Sequence, residues 1–142
     1  MLRGRFESAG ERTPDELRAA YEEALRETID RVGQETVIAE SGVDEAIVTA
    51  LADGDAPAVT LEDATAILAT DEGLPDADAI EAEARDILLM GMSVAVLDVE
   101  AIAAGINDEL EPKEIQQKVE GRYPMTLAEY ATLHRYIESE KR

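Results

Sequence analysis

The chain has no cysteine and no tryptophan, a single histidine, and only four tyrosines and one phenylalanine. Without cysteine there is no disulfide, no thiolate ligand and no thiol nucleophile. His134 has neither a second histidine nor a cysteine to complete a zinc set. It reads as a structural side chain, at the surface or half-buried, ahead of a catalytic base. No phosphate-cradling glycine loop and no nucleophile elbow is present. Asp53/Asp55 and Asp76/Asp78 begin like calcium loops, but the twelfth position falls on Ala64 and Ile87, where a glutamate is required. The chain therefore reads as not an enzyme, with no cofactor, no metal and no small-molecule substrate.

Lysine is nearly missing too, confined to Lys113, Lys118 and Lys141 beside ten arginines. A membrane-length apolar run is also lacking. The longest uncharged stretch, residues 87–97 (ILLMGMSVAVL), falls well short of the ~20 residues a spanning helix needs and predicts a buried central helix. The opening MLRGRFESAGERT has no apolar segment of the kind that marks a signal peptide. No membrane partner is expected, and the expected location is cytoplasmic.

What the chain does have is acid: 33 acidic residues against 13 basic, a net charge of −20. Such a charge opposes compaction through self-repulsion. At molar salt, where the Debye length is ~3 Å, the repulsion nearly vanishes. Acid-rich, lysine-poor and alanine-rich composition points to a cytoplasm that accumulates salt, that is, to a halophile. Few β-branched runs and a hydrophobic share of 45% predict an all-α protein with a real core. Its length fits one compact domain, residues 1–142.

Residues 1–12 are polar and expected to be loose, with Phe6 able to dock. Thr13-Pro14-Asp15-Glu16 is a helix start with a capping box. Leu17, Tyr21, Leu25, Ile29 and Val32 then mark one helical face up to Gly33. Next comes the order Val37-Ile38, Gly42-Val43, Val48, Leu51, Gly54, Pro57, Leu61, which resembles the helix-turn-helix unit of phage-type repressors. Pro75-Asp76 opens the helix that leads into the apolar run, and whether it continues past Gly91 or breaks there stays open. Pro112 starts a further helix ended by Gly121, and Thr126-Leu127-Ala128-Glu129 is another capping box.

Gly54…Pro57…Thr60-Leu61 can be laid on Gly121…Pro124…Thr126-Leu127, and Val48 on Ile115. This suggests a degenerate internal duplication, the alternative being ordinary helix punctuation. Residues 13–70 then hold the N-terminal helix and the first unit. Residues 76–142 hold the central apolar helix and the second.

In the first unit the helix placed to enter a major groove is DEAIVTALAD, without Lys, Arg, Asn or Gln, which nearly excludes it as a DNA reader. The second unit differs. Residues 112–142 carry six basic and five acidic residues, against seven and 28 in residues 1–111. Its helix offers Lys113, Gln116, Gln117, Lys118 and Arg122, types that contact phosphates and base edges. The competing reading is that this helix faces acidic surface or a partner.

The whole chain also resembles a family of short, uncharacterised haloarchaeal proteins, through FESAGERTPDELRA, VLDVEAIAA and PMTLAEYA. That resemblance implies source and fold and no activity. The expectation is a non-catalytic protein-interaction or regulatory module, binding another protein or itself. The alternative is a DNA-binding regulator acting through the C-terminal unit, with nucleic acid the less favoured partner.

Overall fold

The computed structural model describes residues 2, 5, 6 and 8–141. Met1, Arg3, Gly4, Glu7 and Arg142 lie outside the described residues, and with them part of the expectation for residues 1–12. Among the described residues there are eight α-helices and no strand. They are α1 (Pro14–Val32), α2 (Gln34–Ser41), α3 (Glu45–Ala52), α4 (Leu61–Leu68), α5 (Ala77–Ala95), α6 (Val99–Gly105), α7 (Pro112–Val119) and α8 (Leu127–Ser139). Among the described residues no single helix is long and apolar enough to cross a membrane.

Local chemistry sets most of these boundaries. Thr13 accepts from the Glu16 amide at 3.1 Å while Glu16 accepts from the Thr13 amide at 3.0 Å, closing the capping box that starts α1. Thr126 and Glu129 repeat it at α8. Asp44, Thr60, Asp76 and Asp98 each take an amide in the first turn of the helix they precede. At α7 the cap is Glu111, paired with Glu114.

The helices fall into two runs of four in the same order: one long, then three shorter. Both long helices, α1 and α5, have 19 residues. The α4 and α8 helices occupy the middle, and each packs against both α1 and α5. Between α4 and α8 the chain segments that cap them pair directly. Thr60 and Thr126 form an antiparallel bridge, with Leu61 N donating to Met125 O at 2.7 Å and Leu127 N to Val59 O at 2.8 Å. The two threonines matched in the sequence comparison thus meet each other, as residues on an approximate two-fold axis do.

The centre of the core differs from the expectation. It is built by Leu17, Tyr21, Leu25 and Ile29 of α1, Leu61, Ile67 and Leu68 of α4, and Tyr130 and Leu133 of α8, all essentially inaccessible. The uncharged stretch 87–97 is not central. The helix does run unbroken through Gly91, which is buried because α8 approaches so closely that a Cβ there would lie 2.6 Å from Ile137 Cγ2. Yet only Leu88 and Gly91 of this stretch are buried; Leu89, Met90, Val94 and Val96 face outward. The physical reason is that α5 lies against α4, α7 and α8 on one side, while α6 leaves its end at 92° and does not return over its outer face.

Near the N-terminus a 3-10 turn at Ala9–Glu11 packs on α8, so the described part of residues 1–12 is docked and not loose. Phe6 is buried with its ring edge-on to Tyr21, centroids 4.8 Å apart.

Candidate functional site

The five residues singled out on and after α7 do not form one free basic face. Ile115 and Val119 turn inward and fix the helix orientation. Lys118 is consequently half-buried, at the position where α3 carries buried Leu51, and its ammonium forms an ion pair with Glu129 of α8. Arg122 is exposed, with Nε 3.3 Å from Glu120 Oε2. Gln116 Nε2 donates to Glu120 Oε1 at 3.5 Å. Gln117 is partly covered, and its carbonyl accepts from the Arg122 amide at 2.8 Å. Lys113 is exposed. Glu111, Glu114 and Glu120 stand among them, so the local positive charge is matched by carboxylates.

Elsewhere the scarce cations serve the fold. Arg26 Nε donates to the Leu51 carbonyl at 2.7 Å, and Arg18 reaches the Pro57 carbonyl at 3.3 Å, so α1 holds the end of α3 and the loop that follows it with two guanidinium groups. Arg85, nearly buried on α5, lies 3.2 Å from Glu62 of α4. Arg31 pairs with Asp71 at 2.7 Å.

His134 is 3% exposed, which corrects the expectation of a surface or half-buried residue. It stands on the face of α8 defined by Leu127, Tyr130, Ala131 and Ile137. Its Nδ1 is hydrogen-bonded with the Tyr21 hydroxyl, and its Nε2 is 3.9 Å from Glu138. A proton on Nε2 faces that carboxylate, so Tyr21 is the donor to Nδ1. Burial, with nearby positive charge including Lys141, lowers the imidazole pKa to about 3. Burial above all raises the Tyr21 phenol. Tyr130 completes the cluster by donating to the Ala84 carbonyl at 2.7 Å. These three side chains form a buried, hydrogen-bonded network in the core. Among the described residues, no group of three or more His, Asp or Glu side chains is placed to hold a metal ion. One shallow surface depression is lined by Asp44, Thr49, Asp53 and Asp55 on the outside of α3, and is open and acidic.

The feature that stands apart is the outer face of α5. Leu89 is 45% exposed, Met90 50%, Val94 61% and Val96 89%, with exposed Ser93 among them. Residues 87–97 carry no charge in a chain where 32% of residues are charged. Val96 ends the helix with φ 56° and ψ 52°, the left-handed region that a β-branched side chain rarely adopts.

Residues 17–140 match a family model described as a family of unknown function, DUF5791. The chain belongs to the DUF5791 family. No curated protein and no solved structure matches it. The DUF5791 match spans α1 to α8 and so covers both runs of four helices. Within this DUF5791 chain the α5 face was invisible to sequence reasoning because an uncharged stretch has no polar side from which to read an orientation. The signal that could have found it was the alignment of α5 on α1, which puts Leu89, Met90, Ser93 and Val94 opposite Arg26, Glu27, Asp30 and Arg31.

Proposed function

We propose that this chain is a non-catalytic protein-interaction module, a regulator or adaptor whose binding face is the outer side of α5. The observation that carries this reading is the contrast between two helices of equal length. At three matched exposed positions α1 presents Glu27, Asp30 and Arg31 where α5 presents Met90, Ser93 and Val94; at the fourth, Arg26 is half-buried against the Leu51 carbonyl where Leu89 is exposed. The scaffold therefore does not need apolar residues there. Contiguous exposed apolar side chains on an otherwise charged surface mark interaction sites.

A DNA-binding role through α7 draws less support. Duplex binding takes much of its affinity from lysine and arginine contacts to phosphate. Lys118 and Arg122 are engaged by Glu129 and Glu120, and the body behind them carries a net charge of −20. The same composition favours a salt-rich cytoplasm of a halophile as the setting.

The absence of cysteine permits a direct test. Ser93→Cys and, at the matching position of α1, Asp30→Cys each carry a photo-crosslinker in the source cells. Protein adducts are expected from position 93 and not from position 30; adducts from neither, or equally from both, would sink the reading. Circular dichroism of the unlabelled chain tests the setting, since full helicity in dilute buffer would remove the halophile argument.

A further inference from the structure

We infer that the α5 ridge receives an amphipathic helical segment of another protein, with an apolar stripe flanked by lysine or arginine. This rests on the interaction reading above and adds the chemistry of the partner.

The ridge itself supplies the apolar half of the complement. Leu89 and Val94, with Met90 and Ser93 between them, lie along one side of the last turns of α5, at the spacing that another helix can meet side by side. Val96 extends the ridge beyond the helix end. In the first run of helices the matching position, the first residue past the long helix, is Gly33 with φ 103°. A glycine there carries no strain. The second run instead holds an 89% exposed valine in the left-handed region, a choice that neither backbone comfort nor solubility favours. A side chain kept there against local preference is explained by contact with something outside the chain.

The surroundings supply the charge half. The C-terminal end of a helix carries a partial negative charge, and the ridge lies over the end of α5. Asp98 and Glu100 follow immediately, both exposed. Lys141, which reaches the Gly91 side of α5, is already 2.8 Å from Glu138. The field around the ridge is therefore negative, and it selects a partner with basic flanks.

A second copy of the chain fits less well. A standard interface uses about 20–30 residues a side. The ridge offers a handful. A single helix laid along α5 asks for no more surface than the ridge has.

The test uses the full chain in a KCl series, from molar salt down to the lowest concentration at which circular dichroism shows it folded, so that apolar contact is read at the high end and charge selection at the low end. The probes are a synthetic amphipathic Leu/Lys helix, a scrambled peptide of the same composition without a stripe, and a Leu/Glu helix. Fluorescence anisotropy is expected to show binding of the first and not of the other two. Leu89→Gln/Val94→Gln, at exposed positions that leave the core intact, should weaken it ~10-fold or more. Val96→Gly should weaken it as well while leaving thermal stability equal or higher; a purely structural valine would show the reverse. Equal binding of the scrambled peptide, or indifference to the Gln pair, would overturn the ridge as the site, and equal binding of the Leu/Glu helix would overturn the charge assignment. If no peptide binds but sedimentation reveals a dimer that the Gln pair dissociates, the partner assignment fails while the interaction reading stands. If no peptide binds and the chain stays monomeric, the inference fails, and the crosslinking at position 93 decides the interaction reading separately.

Discussion

Leu17, Tyr21 and Leu25 of α1 stand where Ile80, Ala84 and Leu88 stand on α5, and all six are buried. Next to them, the ion pair Arg18–Glu22 of α1 is replaced on α5 by Glu81 and Arg85, the same pair with its signs exchanged. The buried faces thus share one pattern, while the outer faces differ, charged on α1 and apolar on α5. Core positions are held by shape, because a change of even one methylene is felt in a close-packed interior. Solvent-facing positions carry no such restraint. The difference between the halves is therefore the place to look for what the molecule does beyond folding.

The largest effects should come from the matched core positions. Leu25→Ala and Leu88→Ala each leave a cavity, at a cost of ~2–5 kcal/mol for such truncations. Helix α1 is covered by α2, α3, α4 and α8, whereas α5 has an open outer side. Leu25→Ala should fall near the top of the range and Leu88→Ala near the bottom, measured by denaturant unfolding in molar KCl. The opposite order would make α5 the firmer of the two helices and break the comparison.

A second contrast lies inside the core. Tyr21, His134 and Tyr130 fill one side of the approximate axis, and their counterparts on the other side are Ala84, Leu68 and Ala64. His134 ionises at about 3 in the folded chain, below its ordinary 6.5. The unfolded chain therefore binds the proton first. The contribution of the neutral imidazole is complete above pH 6.5 and is lost progressively as pH falls toward 3. The slope in that window is at most ~1.4 kcal/mol per pH unit. His134→Leu alone orphans the Tyr21 hydroxyl, costing about 1–3 kcal/mol at neutral pH. Adding Tyr21→Phe should recover most of that loss and flatten the acid side of the stability profile relative to the unchanged chain. An undiminished slope in the double variant would assign the acid sensitivity to the carboxylates alone.

The helix boundaries were legible in the residues because their causes are local. Thr13 with Glu16, Thr126 with Glu129, and Pro112 each act within one turn. The repeated Gly, Pro and Thr-Leu punctuation was legible as well, and the pairing of Thr60 with Thr126 gives it a spatial meaning. Burial was legible only where polar and apolar residues alternate in a helical period. Residues 87–97 offer no such alternation, so the same residues suit an open face as well as a buried one. His134 shares the spacing of Tyr130 and Ile137, which places it inward, but its partner Tyr21 lies 113 residues away and its environment could not be read locally. The same holds for Lys118: its type suits phosphate, and only the packing of α7 on α8 brings Glu129 to it.

The smallest effects should come from the two threonines on the axis. Each caps its helix, and loss of such a cap costs ~1 kcal/mol. Thr126 has the fuller arrangement, since Glu129 also accepts from its amide at 2.9 Å, whereas no such reciprocal bond is made at Thr60. Thr126→Ala should therefore cost somewhat more than Thr60→Ala. The cap bonds run into different helices, to Asp63 N and Glu129 N, and the bridge between the loops is made by backbone atoms of their neighbours. The double variant should consequently be additive to within about 0.5 kcal/mol. Additivity would mean that the two caps act independently and that the loops are joined at this point by main chain. A coupling well above that value would show the two caps acting as one unit, and the outer face of α5 would then be the freer of the two regions to change.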